Sequence, residues 1–139
     1  MIIIDTNVLS EPLRPLPNQR VVAWLDAQVS ETLFLTTITV AEVRYGIAAL
    51  PAGRRRIDLA ERFESEVLPL FAGRVLAFDE PASSEYAVLR AGSRAAGRAI
   101  GDFDALIAGI ARAHGFGVAT RDVAPFEAAD VRPVIDPFS

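Results

Sequence analysis

With 139 residues, 51% of them hydrophobic, the chain has the size of a single domain over 1–139. A chain of that length buries roughly 68–70% of its unfolded surface. The absence of Cys excludes disulfides, zinc–thiolate sites and thiol nucleophiles, and because all fourteen basic residues are Arg, P-loop lysine and Schiff-base chemistry are excluded too.

In chain order, short apolar runs alternate with longer helical ones. A strand is expected over 2–5, followed by helices near 7–13 and 18–29, the second opened by Pro17-Asn18. A second strand falls at 33–37. A helix over 39–50 stops at Pro51 and Gly53, another runs over 54–71, and a third strand occupies 75–78. Helices over 80–96 and 103–114 follow, the latter closed by Gly115, before strands at 117–120 and 132–135. The strand candidates are rich in Ile, Leu, Val and Phe and short enough to be buried on both faces. Strands alternating with helices imply a doubly wound α/β fold with a parallel sheet between helical layers. The start Met1-Ile2-Ile3-Ile4-Asp5 has no basic leader, and no apolar stretch approaches the ~20 residues of a membrane span. The cytoplasm is the expected compartment, with no membrane partner.

Four acids fall where a strand ends or a helix begins: Asp5, Glu42, Asp104 and Asp122. In an open α/β sheet the crevice outside the carboxyl ends of the strands binds ligands, so acids far apart in sequence can meet there. Such a cluster repels itself unless a hard cation lies within it, and oxygen donors select Mg2+ or Mn2+. Each acid also has a local explanation. Glu42 follows Thr39 at the spacing of a capping box. Asp102 reads as the N-cap of the next helix, which leaves Asp104 in its first turn, and Asp5 and Asp122 suit turns. The local and metal-binding roles do not compete, since a positive helix end favours the ionised carboxylate that a metal needs.

The segments Ile2-Ile3-Ile4-Asp5-Thr6-Asn7-Val8-Leu9-Ser10, Thr36 through Gly46, Asp104-Ala105-Leu106-Ile107-Ala108 and Ala119-Thr120-Arg121-Asp122 through Glu127 resemble PIN-domain ribonucleases. They are most similar to the VapC and FitB-like toxins of bacterial toxin–antitoxin modules. The resemblance spans nearly the whole chain and implies a three-layer α/β/α sandwich around a five-stranded parallel sheet. It also implies a Mg2+ or Mn2+ site, RNA cleavage, a small cognate antitoxin and a homodimer. On this match Asp5, Glu42 and Asp104 carry over as core acids and Asp122 as the fourth, at a position where Asn is common in similar toxins. The alternative in another class is a catalytically inactive PIN-fold protein acting as a binding partner in a regulatory complex; presence of all four acids argues against it, and a Mn2+ titration separates the two.

Beside the acids, Thr6, Asn7 and Thr120 are placed either to orient a carboxylate or water or simply to form turns. A net charge of −4 argues against nucleic-acid binding by bulk attraction, although bound cations would offset it locally. RNA contact therefore needs local positive charge. Arg90, Arg94 and Arg98 repeat every four residues and share a helical face, while Arg54-Arg55-Arg56 forms a second cluster; either group is an RNA contact or a solvated helix face. His114, the only His, precedes a helix-ending Gly and suits a capping role better than acid–base catalysis. Hydrolysis by water leaves a 5′-phosphate and a 3′-hydroxyl, whereas attack by the RNA 2′-hydroxyl usually calls for imidazole.

Overall fold

The computed structural model describes residues 1–139. Five parallel strands, β1 (Ile2–Ile4), β2 (Leu33–Thr36), β3 (Val75–Leu76), β4 (Gly117–Ala119) and β5 (Val134–Ile135), lie side by side in the order β3-β2-β1-β4-β5. Seven helices connect them: α1 (Thr6–Ser10), α2 (Gln19–Asp26), α3 (Thr37–Ala48), α4 (Arg54–Arg62), α5 (Glu80–Ala95), α6 (Asp102–His114) and α7 (Val123–Ala128). The strand order reverses between β1 and β4, whose register pairs Ile2 with Gly117 and Ile4 with Ala119. At such a reversal the connections leave the sheet in opposite directions and open a crevice.

The three layers follow from the pleat, because successive strand residues point to opposite faces. Ile3 and Val118 pack with Ala82, Leu89, Ile107 and Phe126 on one side of the sheet. Their neighbours Ile4 and Ala119 pack with Val8, Val21, Val40 and Phe63 on the other. α5, α6 and α7 cover the first face; α1, α2, α3 and the turns that follow α4 cover the second, while α4 itself buries no residue and packs against α3. No helix is long and apolar enough to cross a membrane.

Most expected elements are present; the strands are shorter than expected, α3 starts and stops two residues earlier, and α6 starts one residue earlier. The helix expected over 7–13 is α1 followed by a 3-10 turn at Glu11–Leu13, where Pro12 enters. The one expected over 54–71 breaks after α4 into a π-type turn at Phe63–Val67 and a 3-10 turn containing Pro69. Pro lacks the N–H that an α-helical interior uses, which accounts for both breaks. The strand expected from 132 begins at Val134, beyond the cis Arg132–Pro133 bond. One element was not foreseen. α7 has only six residues, with Pro125 in its first turn, where a missing N–H costs no helical hydrogen bond.

Candidate functional site

β1 ends at Ile4, and the next residue serves two structures at once. Asp5 extends the sheet ladder by donating its N–H to the Ala119 carbonyl, 2.9 Å away, and then caps α1 by accepting the Thr6 N–H on Oδ1 at 2.7 Å. Its second oxygen accepts the Thr120 hydroxyl, also at 2.7 Å. Only 3% of Asp5 is exposed. Burial pushes its carboxyl above the usual range, a rise strengthened by the charge of Asp122 and opposed by the bonds from Thr120 and Thr6.

Glu42 arrives from α3. The helix cap is Thr36, three residues earlier than expected: its Oγ1 accepts the Thr39 N–H at 3.1 Å. The capping-box role expected for Glu42 is therefore absent, and its Oε1 instead accepts the Thr6 hydroxyl at 2.7 Å. Burial raises the Glu42 carboxyl too, with a contribution from Asp5. Thr36 can cap early because β2 passes into α3 with no intervening loop.

Asp104 sits in the first turn of α6. Its N-cap is Gly101, not Asp102 as expected; Asp102 is the first helical residue and forms an ion pair with Arg90. Asp104 is raised to about 6, first by burial and then by the charges of Asp5, Asp122 and Glu42. That dependence ties the four acids into one electrostatic unit drawn from β1, α3, α6 and the turn after β4.

Asp122 stands at the edge of this unit. Its N–H donates to Thr120 Oγ1 at 3.0 Å, and its carboxylate accepts from Asn7 Nδ2 at 3.3 Å. Asn7 Oδ1 accepts the Arg121 N–H at 3.1 Å, so one amide bridges the start of α1 to the turn that carries Asp122. Thr6, Asn7 and Thr120 thus each hydrogen-bond to one of the acids. Side chains as placed form no ready-made cage of three acids around one point. The donors are nevertheless all hard carboxylate oxygens whose mutual repulsion a divalent cation would relieve, so their chemistry fits Mg2+ or Mn2+.

Among the arginines, Arg90 and Arg94 lie on α5, but Arg98 does not. The helix closes in a Schellman turn, with Gly97 at φ 68° and the Arg98 N–H returning to the Ser93 carbonyl at 2.9 Å. All three still border one open hollow with Ser93 and Ile100. Arg90 is partly committed, to Asp102 and to the Tyr86 hydroxyl at 3.1 Å. His114 ends α6 ahead of left-handed Gly115, as its sequence position indicated.

Sequence reasoning passed over Glu11 and Arg14. Glu11 is buried, and accepts the Asn18 N–H at 2.9 Å and Arg14 Nη1 at 3.4 Å, a structural carboxylate joining α1 to α2. Arg14 lines a cleft beside Glu42 with Thr6 and Ser10. No helical spacing signals Arg14, which lies in extended backbone after the 3-10 turn.

Fold and site together define an α/β/α protein with an acidic crevice at the reversal of a parallel sheet. The PIN domain family model matches residues 2–131, and the chain belongs to that family. It is 54% identical over 138 residues to the VapC ribonuclease Y4jK of Sinorhizobium fredii, covering 99% of this chain and 98% of the relative. Toxin FitB of Neisseria gonorrhoeae is 53% identical over 131 residues, 94% of each chain. The solved structure of FitAB bound to an IR36 DNA fragment matches with a TM-score of 0.96 at 51% identity, covering 100% of this chain and 96% of that one.

Proposed function

We propose that the protein is a divalent-metal-dependent endoribonuclease and the toxin of a toxin–antitoxin pair. What supports this reading is that hydrogen bonds tie acids from separate elements together beside the sheet reversal, Thr6 next to Asp5 bonding Glu42, Thr120 bonding Asp5 and Asn7 bonding Asp122, while the charges of these three acids help raise Asp104. Relatives called VapC ribonuclease and Toxin FitB support the activity and the toxin role. Asp5, Asp104 and Glu42 would hold Mg2+ or Mn2+, with Asp122 at the margin. When bound, the ion polarises the scissile phosphate and lowers the pKa of a coordinated water. The chain's own contribution is orientation: Thr120 and Thr6 lock Asp5 and Glu42 by hydroxyl bonds, and Asn7 steadies Asp122. Arg94 and Arg98, both exposed and with no ion pair, are the members of the Arg90, Arg94 and Arg98 group best placed to meet RNA phosphate.

A small antitoxin would restrain the enzyme, and the free toxin would form a homodimer. The structural relative solved as FitAB bound to a DNA fragment supports a two-component complex. Exposed Leu16, Tyr45, Leu70, Val88 and Phe103 leave apolar surface for such contacts. Purified protein incubated with total RNA and with tRNA should cut in Mg2+ or Mn2+ and stop in EDTA. Cleavage that persists in EDTA overturns the metal-dependent reading. A monomer by light scattering across a wide concentration range would remove the dimer, and growth arrest that no neighbouring small product relieves would remove the antitoxin.

A further inference from the structure

The three adjacent arginines that open α4 have separate fates. Arg54 leans back to Asp58, 3.9 Å away on the next turn. Arg56 reaches the Leu50 carbonyl at 3.5 Å and borders a hollow on the side of Phe63 and Glu64. Arg55 has neither an ion pair nor a hydrogen bond. It lines a cleft of about 270 Å3 that it shares with Thr6, Ser10, Arg14, Glu42 and Leu59.

This cleft continues from the acidic crevice, since Thr6 and Glu42 belong to both. Arg14 stands in it as well, steered by buried Glu11 while its own side chain stays 61% exposed. One carboxylate oxygen on Glu11 cannot satisfy five guanidinium donors, so Arg14 keeps donors for another group. An acidic crevice repels the flanking phosphates of a polyanion, and a strand crossing it needs cations just outside the acids. Two arginines in a narrow groove at its edge meet that requirement, and guanidinium suits phosphate by its paired donors.

We propose that Arg55 and Arg14 form a phosphate-binding subsite that guides the RNA strand past Glu42 on the α1–α4 side of the crevice. This rests on the ribonuclease reading and adds a direction to it: on one side of the acids the strand runs along the α1/α3/α4 groove, a contact separate from the hollow bordered by Arg94 and Arg98. Arg55 acts by position and charge, not on the reacting atoms.

The test measures binding of a labelled single-stranded RNA to the full chain in EDTA, over a series of salt concentrations, for wild type, R55A, R55K and R54A. Circular dichroism monitors folding of each. R55A should weaken binding about tenfold, the scale of one hydrogen bond to a charged group, and reduce the salt slope by about 0.7, the value of one single-strand phosphate contact. R55K should recover most of the slope, and R54A should match wild type. In metal-supplemented cleavage, R55A should raise KM with kcat within about twofold. Wild type that cuts RNA while R55A and R54A bind alike would overturn the subsite and leave the ribonuclease reading standing. Wild type that neither binds nor cuts any RNA would overturn the ribonuclease reading, and the subsite with it.

Discussion

At the scale of single residues, the four acids are held differently, and that difference ranks them. Asp5 and Glu42 each receive a hydroxyl bond at 2.7 Å, and Asp104 responds to the charge of the other three, whereas Asp122 sits at the edge with a longer bond from Asn7. An amide keeps the shape of a carboxylate but loses the charge that holds a hard cation. Asp5→Asn and Asp104→Asn should therefore abolish detectable tRNA cleavage and Glu42→Gln should be nearly as damaging. Asp122→Asn should leave measurable activity that added Mn2+ partly restores; full activity of Asp104→Asn would refute the assignment. The ionisation of Asp104 gives a second prediction. Its carboxyl binds a proton more tightly folded, at about 6, than unfolded, near the ordinary 3.8. An acid raised in this way destabilises the metal-free fold at neutral pH, and stability is gained as pH falls through about 6 toward 3.8. Asp5 and Glu42, also raised, act with the same sign. Glu64 is lowered by its bond from Arg44, so its contribution is lost only below the ordinary carboxylate range. In EDTA, Tm should rise by several degrees from pH 7.5 to pH 5, about 1 kcal/mol after allowance for solvent screening at half-buried Asp104. Asp104→Asn should raise Tm at pH 7.5 and flatten this dependence. A Tm that falls over the same interval in wild type would show that neither burial nor the neighbouring acids hold the Asp104 carboxyl up.

At the scale of elements, α6 must bring Asp104 to the sheet reversal, and it does so by packing hard against α5. Gly109 makes the approach possible: a Cβ there would meet the Ala82 carbonyl oxygen at 2.9 Å and the Tyr86 Cβ at 3.1 Å. Gly109→Ala gains helix propensity of about 1 kcal/mol but overpacks the contact by about 1–3 kcal/mol. Backbone atoms cannot yield as a flexible side chain can, so the net effect should be a loss of about 1–2 kcal/mol, read from urea unfolding. Cleavage should fall as well, because Asp104 rides on the same helix. A more stable variant would mean that the two helices have room to separate. None of this contact was legible in the sequence, where Gly109 is one small residue within an apolar helix. The helices themselves were legible, since α5 and α6 are long and carry clear stops at Gly97 and Gly115. α7 was not. Six residues give too little periodicity to detect, and its closing residue is Asp130 at φ 60°, a left-handed position in which Gly is the recognisable signal. The Thr39 capping box failed for another reason: Thr36 and Thr39 are both competent caps, and only the end of β2 decides between them.

At the scale of the whole molecule, the alternation of strands and helices made the parallel sheet legible, and with it the strand ends near which the four acids fall, but not the strand order. Asp5 directly follows β1 and Asp122 lies in the turn after β4, the two strands on either side of the reversal, so the parallel sheet brings both to the same end. The arginines were less legible, because whether neighbouring cations share a face depends on where a helix stops. Arg98 leaves α5 at the Schellman turn, and Arg54, Arg55 and Arg56 diverge around the start of α4. The assembled acids make the response of the entire fold to metal predictable. Without an ion, acidification stabilises the protein, as argued from Asp104. With an ion bound, the carboxylates must remain ionised, so protons compete with the metal and acidification removes ligand-derived stability. A ligand at about 100 times its Kd adds about 2.7 kcal/mol to the folded state. In saturating Mn2+, Tm at pH 7.5 should therefore rise well above its value in EDTA, and the trend from pH 7.5 to pH 5 should change from rising to falling. Asp104→Asn should show neither the metal-dependent rise nor the change of sign. A wild-type Tm that is the same in Mn2+ and EDTA across this pH range would separate the acidic cluster from metal binding, whatever nuclease activity the preparation displays.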